Sequence, residues 1–345
     1  MSPYVLSVLM SSLAIGTIAT LSSTHWFLAW MGLEINTLAI IPLMTKTYHP
    51  RGTESATKYF LTQATASGLI LFSTTINAWA LGEWTLTNLN PTSSTILTIA
   101  LAMKLGIAPF HLWLPDVMQG LNLMTGLILS TWQKLAPMAL LIMINHQLNS
   151  NLLMLMAILS TVVGGWGGLN QVQMRKIMAY SSIAHLGWMI MILTFSPTLT
   201  VLNFLIYIIL TTSMFMMMIS LLSTNINKLA VSWSKTPTLS ALMMITLMAL
   251  GGLPPTSGFL PKWLILQEMT NQHMSLMSTI MAMSTLLSLF FYLRLSYVIS
   301  LTTAPNISNS NLMWRVQLKP MTAMPVIIIL SLMLMPITPI LLTII

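Results

Sequence analysis

Apolar residues fill long runs of this chain, and polar residues interrupt them at few places. Spanning the hydrocarbon core of a bilayer takes about 20 apolar residues in a helix. By that measure there are eleven such segments. They run over Pro3–Leu21, Trp26–Met44, Ala56–Leu81, Thr95–Leu114, Leu123–His146, Leu152–Leu169, Ile177–Phe195, Leu199–Leu222, Thr238–Met269, Leu276–Leu295 and Met321–Ile345. The pattern predicts an all-α polytopic membrane protein of about eleven transmembrane helices. The N-terminus, Met1-Ser2-Pro3, has no basic stretch of the cleavable-signal kind.

Two segments carry their own interruption. The fourth contains Lys104-Leu-Gly-Ile-Ala-Pro-Phe-His-Leu-Trp-Leu-Pro-Asp116, with a lysine, a histidine and two prolines. The ninth contains Gly251-Gly-Leu-Pro-Pro-Thr-Ser-Gly258, followed by Pro261 and Lys262. A charge at the bilayer centre costs roughly 2.5–3.5 kcal/mol on insertion scales. Broken helices at that depth are tolerated where protein or water covers the freed backbone. Both stretches therefore point to a polar path inside the bundle.

Composition agrees. Of 345 residues, 56% are hydrophobic and 5% are charged, against about 25% charged in ordinary soluble domains. Cysteine is absent, which excludes disulfides, cysteine-ligated iron–sulfur clusters and thiol catalysis in this chain. The 32 methionines read as packing material. The net charge of +8 does not gather in a soluble basic module, so nucleic acid is not an expected partner.

The thirteen Lys and Arg residues are informative by position. Lys46, Arg51 and Lys58 flank the second connection between segments. Arg175 and Lys176 sit in the sixth, and Lys228 and Lys235 in the eighth. Arg294, Arg315 and Lys319 flank the tenth. All ten fall on the side of the N-terminus. The positive-inside rule then puts the N-terminus on the matrix or cytoplasmic side and the C-terminus on the opposite side.

The other cations, Lys104, Lys134 and Lys262, lie within or beside spans, and Glu34 lies mid-span. With His185 they form a row of titratable groups on segments two, four, five, seven and nine. Such groups inside a membrane mark proton pathways. In this reading a Glu34–Lys104 pair acts as a switch, Lys134 and His185 pass the proton on through ordered water, and His111, between the two prolines, gates one end. Static ion pairs that fix helix packing are the plain alternative. His25, His49, His146 and His273 sit near segment ends and read as interfacial. No metal-ligand spacing occurs, and Gly164-Gly-Trp-Gly-Gly168 reads as a close helix contact rather than a dinucleotide fingerprint. No redox cofactor is expected in this chain.

The first five segments compare with the next five. The fourth of each set is broken with a lysine nearby, and the second of each carries a central ionisable group, Glu34 or His185. Five is odd, so a second copy runs inverted, as in many transporters. The expected organisation is a first five-helix repeat over 1–146, a second, inverted repeat over 147–300, and a loop with a last helix over 301–345.

These stretches resemble a known family. Lys104-Leu-Gly-Ile-Ala-Pro-Phe-His-Leu-Trp-Leu-Pro-Asp116 is similar to the K-x-x-x-x-P-F-H-x-W-L-P-[DE] signature of the antiporter-like subunits of respiratory complex I. So are Trp30-Met-Gly-Leu-Glu34, Arg175-Lys-Ile-Met-Ala-Tyr-Ser-Ser-Ile-Ala-His-Leu-Gly187 and the stretch from Gly251 to Lys262. The resemblance implies a proton-pumping subunit of the inner mitochondrial membrane, with the N-terminus in the matrix and the C-terminus towards the intermembrane space. It implies a Glu34–Lys104 pair, and roles for Lys134, His185 and Lys262 in the relay. It further implies the animal form, which lacks the first three of the family's fourteen core helices. Partners would be other complex I membrane subunits, among them further antiporter-like chains, together with accessory subunits and phospholipid. NADH, FMN, iron–sulfur clusters and ubiquinone would reside in partner subunits. A free-standing cation/proton antiporter and a non-conducting scaffold are the competing readings.

Overall fold

The computed structural model describes residues 2–46, 48–301 and 323–344. Among them the chain is helical, with no named strand. Each predicted apolar segment coincides with a helix or with a pair of half-helices. The first five segments give α1 (Pro3–Leu21), α2 (Trp26–Met44), α3 (Pro50–Leu81), the broken pair α4 (Pro91–Leu105) and α5 (Trp113–Gly120), and the pair α6 (Leu123–Ser130) and α7 (Trp132–Ile144). Then follow α8 (Ser150–Gly168), α9 (Met174–Leu193), α10 (Pro197–Ser220), a short α11 (Ile226–Lys235), the broken pair α12 (Pro237–Gly251) and α13 (Phe259–Asn271), α14 (Ser275–Leu301) and α15 (Ala323–Ile344). Nine helical stretches among the described residues are long and apolar enough to cross a membrane. The two broken pairs make up the remainder of the eleven segments. The cations Arg315 and Lys319 fall outside the described residues.

Local chemistry sets the helix ends. Proline opens α1, α3, α4, α10 and α12, where its missing N–H leaves no bond unmade. His25 and His49 are N-caps: their Nδ1 atoms accept from the Phe27 and Arg51 N–H groups, each at 3.2 Å. Most serine and threonine hydroxyls inside the helices donate back to a carbonyl three or four residues earlier, as Thr20 does to Thr17 at 2.8 Å. That keeps hydroxyls satisfied where no water is available.

The chain forms two compact units, Met1–Ser160 and Thr161–Ile345. Within the first, α1 and α2 meet through small residues. A Cβ added to Gly16 would stand 2.5 Å from Asn36 Oδ1, and one added to Gly32 would stand 2.8 Å from the Gly16 carbonyl. Within the second, the glycine cluster of α8 is a packing surface. Gly164 abuts Ala184, Gly165 abuts Leu287 and Gly168 abuts Phe291. In apolar surroundings such backbone proximity is the main source of helix association.

The two units share local devices. In the first, His25 pairs with Thr85 in an isolated antiparallel bridge, flanked by Trp26 N–H to Trp84 O at 3.0 Å and Leu86 N–H to Thr24 O at 3.2 Å. In the second, Gln173 pairs with Asn225, flanked by Met174 N–H to Thr224 O at 3.0 Å and Ile226 N–H to Val172 O at 3.2 Å. Each bridge ties the start of one long helix to the end of the next. It also fixes a register. Glu34 lies nine residues past its bridge and His185 twelve, so the position matching Glu34 is Ser182 and the one matching His185 is Thr37. Glu34 and His185 are therefore one turn apart in register and are not counterparts.

Replacing Gly16 by Leu is expected to abolish accumulation of the assembled protein, since α1 and α2 can no longer close. Gly68, with nothing within 4 Å of its added Cβ, is expected to accept Ala with no loss. Native-gel quantification of both variants checks the contrast; equal accumulation would refute it.

Candidate functional site: two polar chambers beside broken helices

Both breaks are built alike. The α4 helix ends on Gly106 at φ 77°, and α12 ends on Gly252 at φ 81°. Glycine takes this left-handed conformation without the steric penalty other residues meet. Gly106 and Ile107 both donate to the Ala102 carbonyl, at 2.9 and 3.0 Å; Gly252 and Leu253 both donate to that of Met248, at 3.1 and 3.3 Å. Aligned on these glycines, Pro109 matches Pro255, Leu114 matches Leu260 and Pro115 matches Pro261.

The lysines do not match. Lys104 precedes its break, on the last turn of α4; its counterpart is Leu250. Lys262 follows its break, on α13; its counterpart is Asp116. The carbonyls freed at the breaks are met by different donors. Trp113 Nε1 donates at 3.1 Å to the Met103 carbonyl, which also accepts from the Gly106 N–H at 3.3 Å. Lys262 Nζ donates to the Gly251 carbonyl at 2.8 Å, placing a cation on the electronegative C-terminal end of α12. A carbonyl at membrane depth with no donor would cost several kcal/mol.

In the first unit, Lys104 and Lys134 line one cavity of about 20 Å³. Both are buried, at 6% and 3% exposure. Asn36 and Thr37 of α2, Tyr59 and Gln63 of α3 and Gln133 of α7 complete its polar wall. Roughly 10–15 Å³ suffices for one water molecule where several polar groups converge. Lys134 is set by a local irregularity: Thr131, at φ −113° and ψ −68°, separates α6 from α7, and its carbonyl accepts from the Lys134 N–H at 3.3 Å. Pro137 then sits inside α7, where it cannot donate to the Gln133 carbonyl.

Glu34, half-buried in α2, acts electrostatically on both Lys104 and Tyr59. It makes no ion pair with Lys104 within 4.0 Å among the described residues. Glu34 Oε2, Lys104 Nζ, the Asn36 amide and Gln63 Nε2 are buried without a hydrogen-bond partner in the protein. The direct ion pair of Glu34 with Lys104 expected from the sequence is not formed among the described residues, and Glu34 is not among the residues lining the chamber. His111 sits in the break, buried at 9% exposure, and is not among the residues lining this cavity.

In the second unit, His185 and Lys262 line a smaller cavity of about 10 Å³ with Asn203, Tyr207 and Trp188. The His185 ring lies 5.5 Å from that of Tyr207, tilted at 44°. Tyr207 hydrogen-bonds with Ser182. The row foreseen in sequence is therefore two groups: Glu34, Lys104 and Lys134 in one unit, His185 and Lys262 in the other. Sequence reasoning missed the amides and phenols of the walls, Asn36, Tyr59, Gln63, Gln133, Asn203 and Tyr207. Polar residues in mid-segment were the available signal. Among the described residues no group of three or more His, Cys, Asp or Glu could hold a metal ion.

A helical membrane bundle whose broken helices each carry a lysine lining an internal polar cavity defines the class of antiporter-like membrane subunits. Residues 23–288 match the NADH:quinone oxidoreductase/Mrp antiporter transmembrane family, and residues 289–342 match the NADH dehydrogenase subunit 2 C-terminus. NADH-ubiquinone oxidoreductase chain 2 of Polypterus ornatipinnis is 57% identical over 339 residues, covering 98% of each chain. That of Xenopus laevis is 58% identical over 345 residues, covering 99% of this chain and 100% of the other. A subunit of respiratory complex I from Thermus thermophilus superposes with a TM-score of 0.86 at 26% identity, over 99% of this chain and 80% of that one. The chain belongs to the NADH-ubiquinone oxidoreductase chain 2 family.

Substituting Gly252 by Ala forces a left-handed alanine and sets its Cβ 2.8 Å from Lys262 Nζ. A cost of about 1–2 kcal/mol is expected from the backbone alone, together with displacement of Lys262 from the Gly251 carbonyl. The thermal inactivation temperature of the assembled complex should fall; an unchanged temperature would contradict this reading of the break.

Proposed function

We infer that this chain moves protons through its two polar chambers. As a member of its family it is a membrane subunit of proton-pumping NADH:ubiquinone oxidoreductase, respiratory complex I. The observation that carries the relay is the shared chamber of Lys104 and Lys134, two buried lysines on different helices facing the same small polar space. Two cations so placed repel, and Glu34 offsets the charge of the nearer one. A proton leaving either lysine relieves the repulsion, so the chamber favours a single shared charge whose position can change. His185 and Lys262 supply an analogous pair in the second unit. A static scaffold has no need of buried lysines, and a cation antiporter would want more carboxylates than Glu34 at mid-span.

The repeats are read as inverted. The first bridge, His25 to Thr85, joins the first and third connections; the second, Gln173 to Asn225, joins the sixth and eighth. If the chain crosses the membrane at each segment, odd and even connections lie on opposite sides, and the same device recurs upside down. The Lys58–Asp116 contact at 3.5 Å and the Arg294 bond to the Leu169 carbonyl at 2.6 Å each join two even connections, in keeping with that alternation. The side rich in cations is the matrix side of the inner mitochondrial membrane. Neighbouring antiporter-like and accessory subunits and phospholipid surround the chain, and NADH, FMN, iron–sulfur clusters and ubiquinone belong to partners.

Lys104→Met in the assembled complex is expected to lower the ratio of protons translocated to NADH oxidised. Glu34→Gln should lower it less, because Glu34 tunes Lys104 from a distance. Proton uptake and NADH oxidation measured together in sealed vesicles check both. A Lys104→Met complex that pumps at the native ratio would remove Lys104 from the path.

A further inference from the structure

A second polar cavity lies at one end of the first unit, outside the chamber. It measures about 250 Å³ and is lined by Arg51, Glu54, Ser55 and Lys58 of α3 and by Asp116, Gln119 and Gly120 of α5. Lys58 Nζ bridges the two acids, at 2.9 Å from Glu54 and 3.5 Å from Asp116. Two positive and two negative charges leave this mouth neutral, and the side chains of Lys58, Glu54 and Asp116 are about half-exposed.

The mouth and the chamber share their walls. Ser55 lines the mouth, while Tyr59 and Gln63 line the chamber. These three stand four residues apart, so they form one stripe along α3. Each is buried, at 3%, 2% and 3% exposure. From Ser55 to Gln63 the helix rises about 12 Å. The opposite wall is α5, whose Trp113 and Leu114 face the chamber and whose Asp116 faces the mouth. Gly120 lets α5 approach this closely: a Cβ there would stand 2.9 Å from the Ser55 Cβ. Between mouth and chamber stands the Tyr59 ring, edge-on to Trp113 with centroids 5.8 Å apart.

We propose that the cavity bounded by Arg51, Glu54, Lys58 and Asp116 is the mouth through which protons reach the Lys104–Lys134 chamber, with the Tyr59 hydroxyl as the connecting group. A phenol hydroxyl both donates and accepts. It takes a proton onto its oxygen from water on the mouth side and releases its own hydrogen towards Gln63 and Lys104, ending neutral. Ser55 leads water to it, and the charged rim supplies surface carboxylates that bind and release protons. This assignment rests on the relay reading above, and its test separates the two.

The experiment uses the assembled complex in sealed vesicles. Tyr59→Phe keeps the ring and its contact with Trp113 but removes the hydroxyl. The expected result is a several-fold fall in protons translocated per NADH oxidised, with the complex intact on native gels. An unchanged ratio overturns Tyr59 as the connection. If Tyr59→Phe pumps normally while Lys104→Met does not, the relay stands and this route falls. A second measurement is independent of pumping. The chain has no cysteine, so Ser55→Cys introduces a unique thiol on it. A small water-soluble thiol reagent should modify that residue from the side bearing the N-terminus and not from the other, as read by mass spectrometry. No modification, or modification from the opposite side, overturns the mouth.

Discussion

A backbone carbonyl in the interior of a membrane must find a donor. That constraint shapes this molecule more than any other. An unbroken helix meets it internally. The two broken helices cannot, and each recruits a donor from across its own break: the Trp113 indole in one, the Lys262 ammonium in the other. The same left-handed glycine turn starts both breaks. Once the turn is made, the chain that follows packs back against its neighbours and brings polar side chains to membrane depth.

This gives the two chambers a shared origin and different chemistry. In the first unit the donor is neutral, so Lys104 is left without a protein partner and faces Lys134 across a small polar space. In the second unit the lysine itself caps the carbonyl, and a histidine beside Tyr207 completes the wall. Lys262 is thus held on a carbonyl at a helix end, whereas Lys104 has no hydrogen-bond partner in the protein. Within this account the first chamber is where a change in Glu34 has most effect.

Much of the fold was legible in sequence because lipid leaves few choices. The segments Pro3–Leu21 and Trp26–Met44 coincide with α1 and α2 end to end. The breaks were legible too, since paired prolines and glycines inside an apolar run have few other meanings. The short helix Ile226–Lys235 was not foreseen, because its ten mixed residues carry no apolar run. The walls of the chambers were also missed. Asn36, Gln63 and Asn203 are scattered amides in long apolar segments, and which of them face a common space depends on helix rotation, which hydropathy does not report. The positions of Glu34 and His185 looked equivalent until the bridges at His25 and Gln173 gave a register to count from. Neither the distance between Glu34 and Lys104 nor the bond from Lys262 to the Gly251 carbonyl is written in spacing; both follow from how the half-helices meet.

The central claim is that buried lysines in a common chamber carry the proton. Lys134 tests it most directly, being 3% exposed and close to the middle of its apolar segment, Leu123–His146. The measurement is proton translocation against NADH oxidation in sealed vesicles, comparing the native complex with a Lys134→Met complex shown to be assembled. The account predicts that oxidation or pumping falls while the complex stays intact. Rates and a ratio both unchanged would contradict it, and would leave the lysine as a packing group.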